Sequence, residues 1–175
     1  MRRPSDSLRK RAAEADAKTV EAAAVRLLAR REHSTEELRR KLLTKGYPSD
    51  AVEPVIQKLA GKRLVSDERF TSTFVHHHAR RGQGPVRIRA ELRQQGIADS
   101  QVEAALRGAE VDWVQLAREV RRRKFGAAPP CSLGERAKQA RFLQYRGFDA
   151  EQLRAAFREE SSEADGAPDI TPDII

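Results

Sequence analysis

The chain has 175 residues, of which 34% are charged and only 5% aromatic, with a formal net charge of +8; so polar a balance leaves a thin core and excludes a membrane-embedded chain. The charge is unevenly placed: residues 1–157 hold 33 basic and 20 acidic side chains, net +13, whereas 158–175 hold one arginine and six acids, net −5. A lone cysteine, Cys131, excludes an intramolecular disulfide, and no stretch approaches the ~20 apolar residues that span a bilayer.

The predicted elements follow in chain order. Met1–Lys18 is basic but leads into no apolar run, so it reads as a mobile segment rather than a secretory leader. Val20, Ala24, Leu27 and Leu28 keep the helical period and predict a first helix over about Thr19 to Arg31. Ser34 opens a second, with Glu37 three residues on as a reciprocal capping box, Leu38 and Leu42 on one face, and Gly46 at its end. Ser49 or Asp50 caps a third, which buries Val52, Val55, Ile56 and Leu59. Its Pro54 must lie near the first turn or kink it.

A fourth helix is expected over about Ser66 to Arg80, with Phe70, Phe74 and Val75 apolar. Gly82–Pro85 breaks the chain, and Pro85 suits the first turn of the next helix, which carries Ile88 and Leu92. Asp99 caps the sixth, with Val102, Ala105 and Leu106 inward. Val111, Val114, Leu116, Val120 and Phe125 mark a longer seventh, stopped by Gly126–Pro130. Ser132 with Glu135 forms a second capping box ahead of Phe142 and Leu143, and Asp149 starts a last helix ending near Phe157. The acidic segment from residue 159 on reads as mobile, and it can fold back on the basic body at low salt.

One phrase recurs at intervals of 50 and 51 residues: Leu42, Leu92 and Leu143, each followed after three residues by Gly46, Gly96 or Gly147, then Tyr47, Ile97 or Phe148, then Val52, Val102 or Leu153. A period near fifty means tandem units that bury their apolar stripes on their neighbours. The expected fold is all-α, an elongated array, curved to either hand, of three tandem three-helix repeats over 19–65, 66–108 and 109–158. Residues 1–18 form a basic mobile segment before it and 159–175 an acidic mobile tail after it.

Little in the chain points to catalysis. His76, His77 and His78 are adjacent, and helix positions about 100° apart cannot converge on one ion. The acids sit at caps or beside bases, as Glu36 with Arg40 and Glu37 with Lys41 at i,i+4. The tyrosine, isoleucine and phenylalanine after the glycines, with Trp113, are assigned to packing. The basic clusters carry more information: Arg80, Arg81, Arg87, Arg89 and Arg93 bracket the middle break, and Arg118, Arg121, Arg122, Arg123 and Lys124 crowd one helix. Like charges at i,i+4 cost helix stability, and a polyanionic partner would offset that cost. Nucleic acid and an acidic protein groove both fit.

Three stretches carry a resemblance. RLLARREHSTEELRRKLLTKG (Arg26–Gly46), LVSDERFTSTFVHHHARRGQGPVRIRAELRQQGI (Leu64–Ile97) and AKQARFLQYRGFDAEQL (Ala137–Leu153) resemble the RecX family of bacterial RecA regulators. The resemblance implies a cytoplasmic protein that binds RecA and its nucleoprotein filament in the filament groove. It implies inhibition of ATP hydrolysis, strand exchange and the co-protease activity behind the SOS response. No chemistry and no cofactor of its own is implied. The chain is expected to be a monomer with at most weak binding to single- or double-stranded DNA and none to membrane. The two basic clusters are the expected contact surface, and reversal of Arg87 and Arg89 to Glu is expected to weaken inhibition. Helix, glycine turn, helix also describes helix-turn-helix modules, so a DNA-binding regulator is the alternative. The helices after the glycines are poor in base-reading side chains, which counts against it.

Overall fold

The computed structural model describes residues 6–163, and side chains within 16–158. Among these residues there are nine helices and no strand: α1 Asp6–Leu28, α2 Thr35–Thr44, α3 Ser49–Gly61, α4 Asp67–Arg80, α5 Pro85–Gln94, α6 Asp99–Gly108, α7 Trp113–Phe125, α8 Leu133–Arg146 and α9 Ala150–Glu163. The chain divides into two compact units. The first holds residues up to Val75 with Ala90–Ala109, and the second holds His76–Arg89 with the residues from Glu110 on, so the division passes through α4 and α5.

The recurring phrase is a helix stop. After α2, Gly46 N–H donates to the Leu43 carbonyl and Tyr47 N–H to that of Leu42; Gly96 and Ile97 repeat this on Arg93 and Leu92, and Gly147 and Phe148 on Gln144 and Leu143. The glycines take φ of +89°, +77° and +93°. This is a Schellman ending, in which the left-handed residue is a glycine and the apolar residue after it packs on the leucine one turn back. The leucines are fully buried, as are Ile97 and Phe148, while Tyr47 is half-buried on the first core. Gly82 ends α4 in the same way, and at the end of α3 a non-glycine, Arg63, is held at φ +56°.

The glycine turns also receive a neighbouring triplet. In the first unit Ser34, the cap of α2, donates its hydroxyl to the Gln95 carbonyl at 2.8 Å, and a Cβ on Gly96 would stand 2.6 Å from that of Glu36. In the second, Gly84 and Val86 donate backbone N–H groups to the Arg146 and Gly147 carbonyls at 2.8 and 3.0 Å. A Cβ on Gly147 would stand 2.3 Å from that of Arg87, and one on Gly84 would strike the Gly147 carbonyl. Gly46, whose turn lies in the first triplet, has nothing within 4 Å of its missing Cβ.

Helix starts depart from the sequence reading at α1, α3 and α6, and in the capping boxes of α2 and α8. The first helix begins at Asp6, not Thr19, because Ala12, Ala13, Ala15 and Ala17 favour helix without an apolar stripe to announce it. Pro48 and Ala98, not Ser49, Asp50 or Asp99, are the caps of α3 and α6, and neither makes a side-chain cap bond. Ser34 and Ser132 do accept from the N–H groups of Glu37 and Glu135 at 2.9 and 3.2 Å. The reciprocal halves are absent, since Glu37 turns to Arg31 and Lys41 and Glu135 takes the Cys131 N–H. A two-way box stands unannounced at Asp149 and Gln152, with bonds of 2.8 and 3.0 Å. Pro54 lies in the second turn of an unbroken α3. The carbonyl it leaves without an N–H partner is that of Asp50, at an exposed position where water can serve. At the far end α9 continues past Phe157 to Glu163, and residues 1–5 and 164–175 of the two terminal segments lie outside the described residues.

Each unit has its own core. In the first, α1, α2 and α3 pack around Val20, Leu38, Leu42, Val52, Ile56 and Leu59. In the second, α7, α8 and α9 pack around Ala117, Val120, Leu143, Phe148, Leu153 and Phe157. Full burial of each larger side chain contributes about 1.5–3 kcal/mol.

Candidate functional site

The ten arginines and lysines singled out in the sequence do not share one fate. Arg80 and Arg81 are exposed at the end of α4, Arg87 and Arg89 are half-buried on α5, and all four belong to the second unit. Arg93 falls in the first, where it pairs with Asp99 at 2.6 Å in an exposed bridge. On α7, Arg122, Arg123 and Lys124 are exposed, and half-buried Arg118 donates to the Ala155 carbonyl of α9 at 3.2 Å. The second unit brings the two groups together: a Cβ on Gly82, in the α4–α5 turn, would lie 2.6 Å from a methyl of Val120 on α7.

Arg121 is a correction. It is fully buried and therefore unavailable to a partner. Its guanidinium donates to the Ala128 carbonyl at 3.1 Å, to Gln139 Oε1 at 3.2 Å and to the Ala127 carbonyl at 3.4 Å. A loop rich in Gly, Ala and Pro is thus tied to α7 and α8 by a side chain with several donors.

Several basic residues absent from that set stand on α8 and α9. Arg136, Lys138 and Arg141 are exposed on α8, and Arg136 with Arg154 and Arg158 lines a hollow of about 710 Å³ together with Glu151 and Ala155. Two guanidinium–ring contacts add to them: Arg146 lies 5.3 Å from the Phe142 ring and Arg87 5.9 Å from that of Tyr145. Tyr145 is 78% exposed. Arg146 also donates to the Arg81 carbonyl at 3.2 Å, so the α4–α5 turn and the end of α8 are joined by side chain as well as backbone. Spacing alone does not reveal this juxtaposition, because Arg81 and Arg146 lie 65 positions apart.

Taken whole, the units carry net +5 (1–75 with 90–109) and net +3 (76–89 with 110–175), but among the residues whose side chains are described the charge divides unequally. Residues 76–89 and 110–158 carry fifteen basic and six acidic side chains, net +9, whereas 16–75 and 90–109 carry fourteen and twelve, net +2. In the first unit the bases meet acids: Arg39 with Glu36 and Glu53, Lys58 with Glu21, Arg69 with Glu32. Its densest network centres on the buried side chains of Glu37 and His33. Glu37 accepts a two-pronged contact from Arg31 and a 2.9 Å bridge from Lys41, while Lys41 donates to His33 Nε2 at 3.0 Å and His33 Nδ1–H donates to the Arg31 carbonyl at 2.9 Å. Those two partners require a neutral imidazole. Burial, the largest influence on His33, pushes its pKa down. Burial alone would raise that of Glu37, but the bonds from Arg31 and Lys41 together outweigh it and bring it to about 2.

Among the described residues no three His, Cys, Asp or Glu side chains stand together as metal ligands would. His78 bonds Gln83 instead, and His77 meets His78 edge to face at 5.3 Å. No helix among them is long and apolar enough to cross a membrane.

Known proteins share this architecture. Models of the first, second and third three-helix domains of RecX match residues 22–59, 66–106 and 110–157. A regulatory protein RecX from Halorhodospira halophila is 50% identical over 142 residues, 81% of this chain and 88% of that one. A regulatory protein RecX from Pseudomonas fluorescens is 44% identical over 74% of this chain and 84% of its own length. The crystal structure of RecX from Lactobacillus salivarius superposes with a TM-score of 0.73 at 20% identity, over 85% of this chain and 99% of that one. A second crystal structure, of regulatory protein RecX, gives 0.75 at 21% identity over 89% and 78%. Three tandem domain matches and relatives 44–50% identical over most of the chain lead to one conclusion: this chain belongs to the RecX family of regulatory proteins.

Proposed function

We propose that this chain is a negative regulator of RecA that lies in the helical groove of the RecA–DNA filament and suppresses ATP hydrolysis, strand exchange and co-protease activity, so moderating DNA repair and the SOS response. It acts in the cytoplasm as a monomer, performs no chemistry, needs no cofactor and binds free DNA weakly. The observation that carries the reading is the gathering of positive charge over residues 76–89 and 110–158 of the second unit, net +9, on a member of a family of regulatory proteins. Arginine forks pair with carboxylates and with phosphates alike, so one such surface serves a groove built of protein and DNA.

The test is RecA ATPase on single-stranded DNA with the chain titrated in. Arg87 and Arg89 are half-buried, so their reversal would disturb packing as well as charge. The exposed set Arg80→Glu, Arg81→Glu, Arg123→Glu and Lys124→Glu is the cleaner variant. It is expected to raise the concentration for half-inhibition at least tenfold with helicity unchanged, whereas Lys45→Glu, Lys62→Glu and Arg107→Glu in the first unit shift it less than threefold. Equal losses from both sets would remove the second unit from the mechanism.

A further inference from the structure

Tyr145 is the second most exposed large apolar side chain in the described structure, at 78%, and its ring has the Arg87 guanidinium 5.9 Å from its centroid. It sits at the end of α8, one turn after exposed Arg141 and two turns after exposed Lys138, so the three share one face of the helix. The nearest part of the second unit adds Arg146, bonded back to the Arg81 carbonyl, and the exposed side chains of Arg80 and Arg81. An aromatic ring kept in water yields none of the stabilisation it would gain in a core. A guanidinium beside it, with cations at helical spacing along the same face, suits a partner that offers flat π-faces strung on a chain of negative charge.

We propose that Tyr145, with Arg87 beside it, is a stacking seat for an unpaired base of single-stranded nucleic acid, and that Lys138, Arg141 and Arg146 hold the phosphates on either side. The proposal rests on the reading of the second unit as a surface that faces nucleic acid. A single strand is favoured over a duplex because only an unpaired base presents its face, and every base has one, so the seat is indifferent to sequence. An acidic peptide would use the arginines but leave the ring without a role. Placement on α8 follows from the Gly147 turn: its lack of a Cβ lets Arg87 approach, and Arg87 reaches the ring two residues back.

The experiment measures binding of the full chain to a fluorescent oligothymidylate and to an abasic deoxyribose-phosphate strand of equal length, over a range of salt. The wild type should bind the base-bearing strand on the order of tenfold more tightly. Tyr145→Ala should erase that difference while leaving the slope of affinity against salt unaltered, because no charge is removed. Tyr145→Phe, which keeps the ring, should retain it. Equal wild-type affinity for the two strands overturns the stacking seat and leaves the electrostatic surface standing; no binding to either strand overturns both. If Tyr145→Ala weakens RecA inhibition but not oligonucleotide binding, Tyr145 is a protein contact and the proposal fails.

Discussion

At the scale of single residues the arginines separate by what surrounds them. Arg121 and its neighbours Arg122 and Arg123 are indistinguishable as letters, yet Arg121 is fully buried and donates to two carbonyls of the α7–α8 loop and to Gln139 Oε1 on α8. Arg121→Met keeps the volume and removes the donors. Bonds to a charged group are worth about 1.5–3 kcal/mol each, and several share this one, so a loss of about 2–4 kcal/mol in urea unfolding is expected. The His33–Lys41–Glu37–Arg31 network sets a pH response. His33 is held neutral, with its pKa below the ordinary 6.5, so its contribution is complete above that value and declines as pH falls through it, when the unfolded chain takes up a proton that the folded one resists. Glu37, moved from 4.5 to about 2, contributes fully above 4.5 and less as pH falls towards 2, by about 2–3 kcal/mol in all. Thermal melts from pH 8 down to 3 should therefore lose stability in two stages. His33→Gln should remove the upper stage and keep the lower. A single stage centred near pH 4.5 in both proteins would mean that His33 is not coupled to folding.

At the scale of elements, the repeated glycine does two separable jobs. Every copy needs a left-handed residue to end its helix, but only Gly96 and Gly147 also receive a neighbouring helix start within Cβ distance. Gly46→Ala should cost only the conformational penalty, about 1–2 kcal/mol. Gly147→Ala adds a clash with Arg87 at 2.3 Å, partly with backbone, and should cost about 3 kcal/mol or more. Urea midpoints of the two variants measure the docking contact by difference, and equal losses would show that the turn gives way freely. The helix ends were legible in sequence because a Schellman stop is a local device: leucine, glycine and apolar residue lie within six positions. The helix starts were less so. Glu37 and Glu135 had the spacing of a reciprocal capping box but found better partners in Arg31, Lys41 and the Cys131 N–H, and a capping residue bonds whichever donor the fold brings closest.

At the scale of the molecule, residues 76–89 and 110–158 carry net +9 and residues 16–75 and 90–109 net +2, while 1–15 add three positive charges and 159–175 remove six. The basic excess thus belongs to a stretch of helices rather than to half of the chain, and the charge-reversal sets proposed above test which helices the partner reads. Helix content, the threefold repeat and the overall basic character follow from the amino-acid order alone, because periodicity, glycine stops and charge count are properties of neighbours along the chain. Two things were decided only by folding: that Arg121 turns inward while Arg122 and Arg123 face water, and that Tyr145 stands exposed beside Arg87. Each depends on residues between 7 and 65 positions apart meeting through a packed turn, and burial and pairing are set by such meetings rather than by what lies next in the chain.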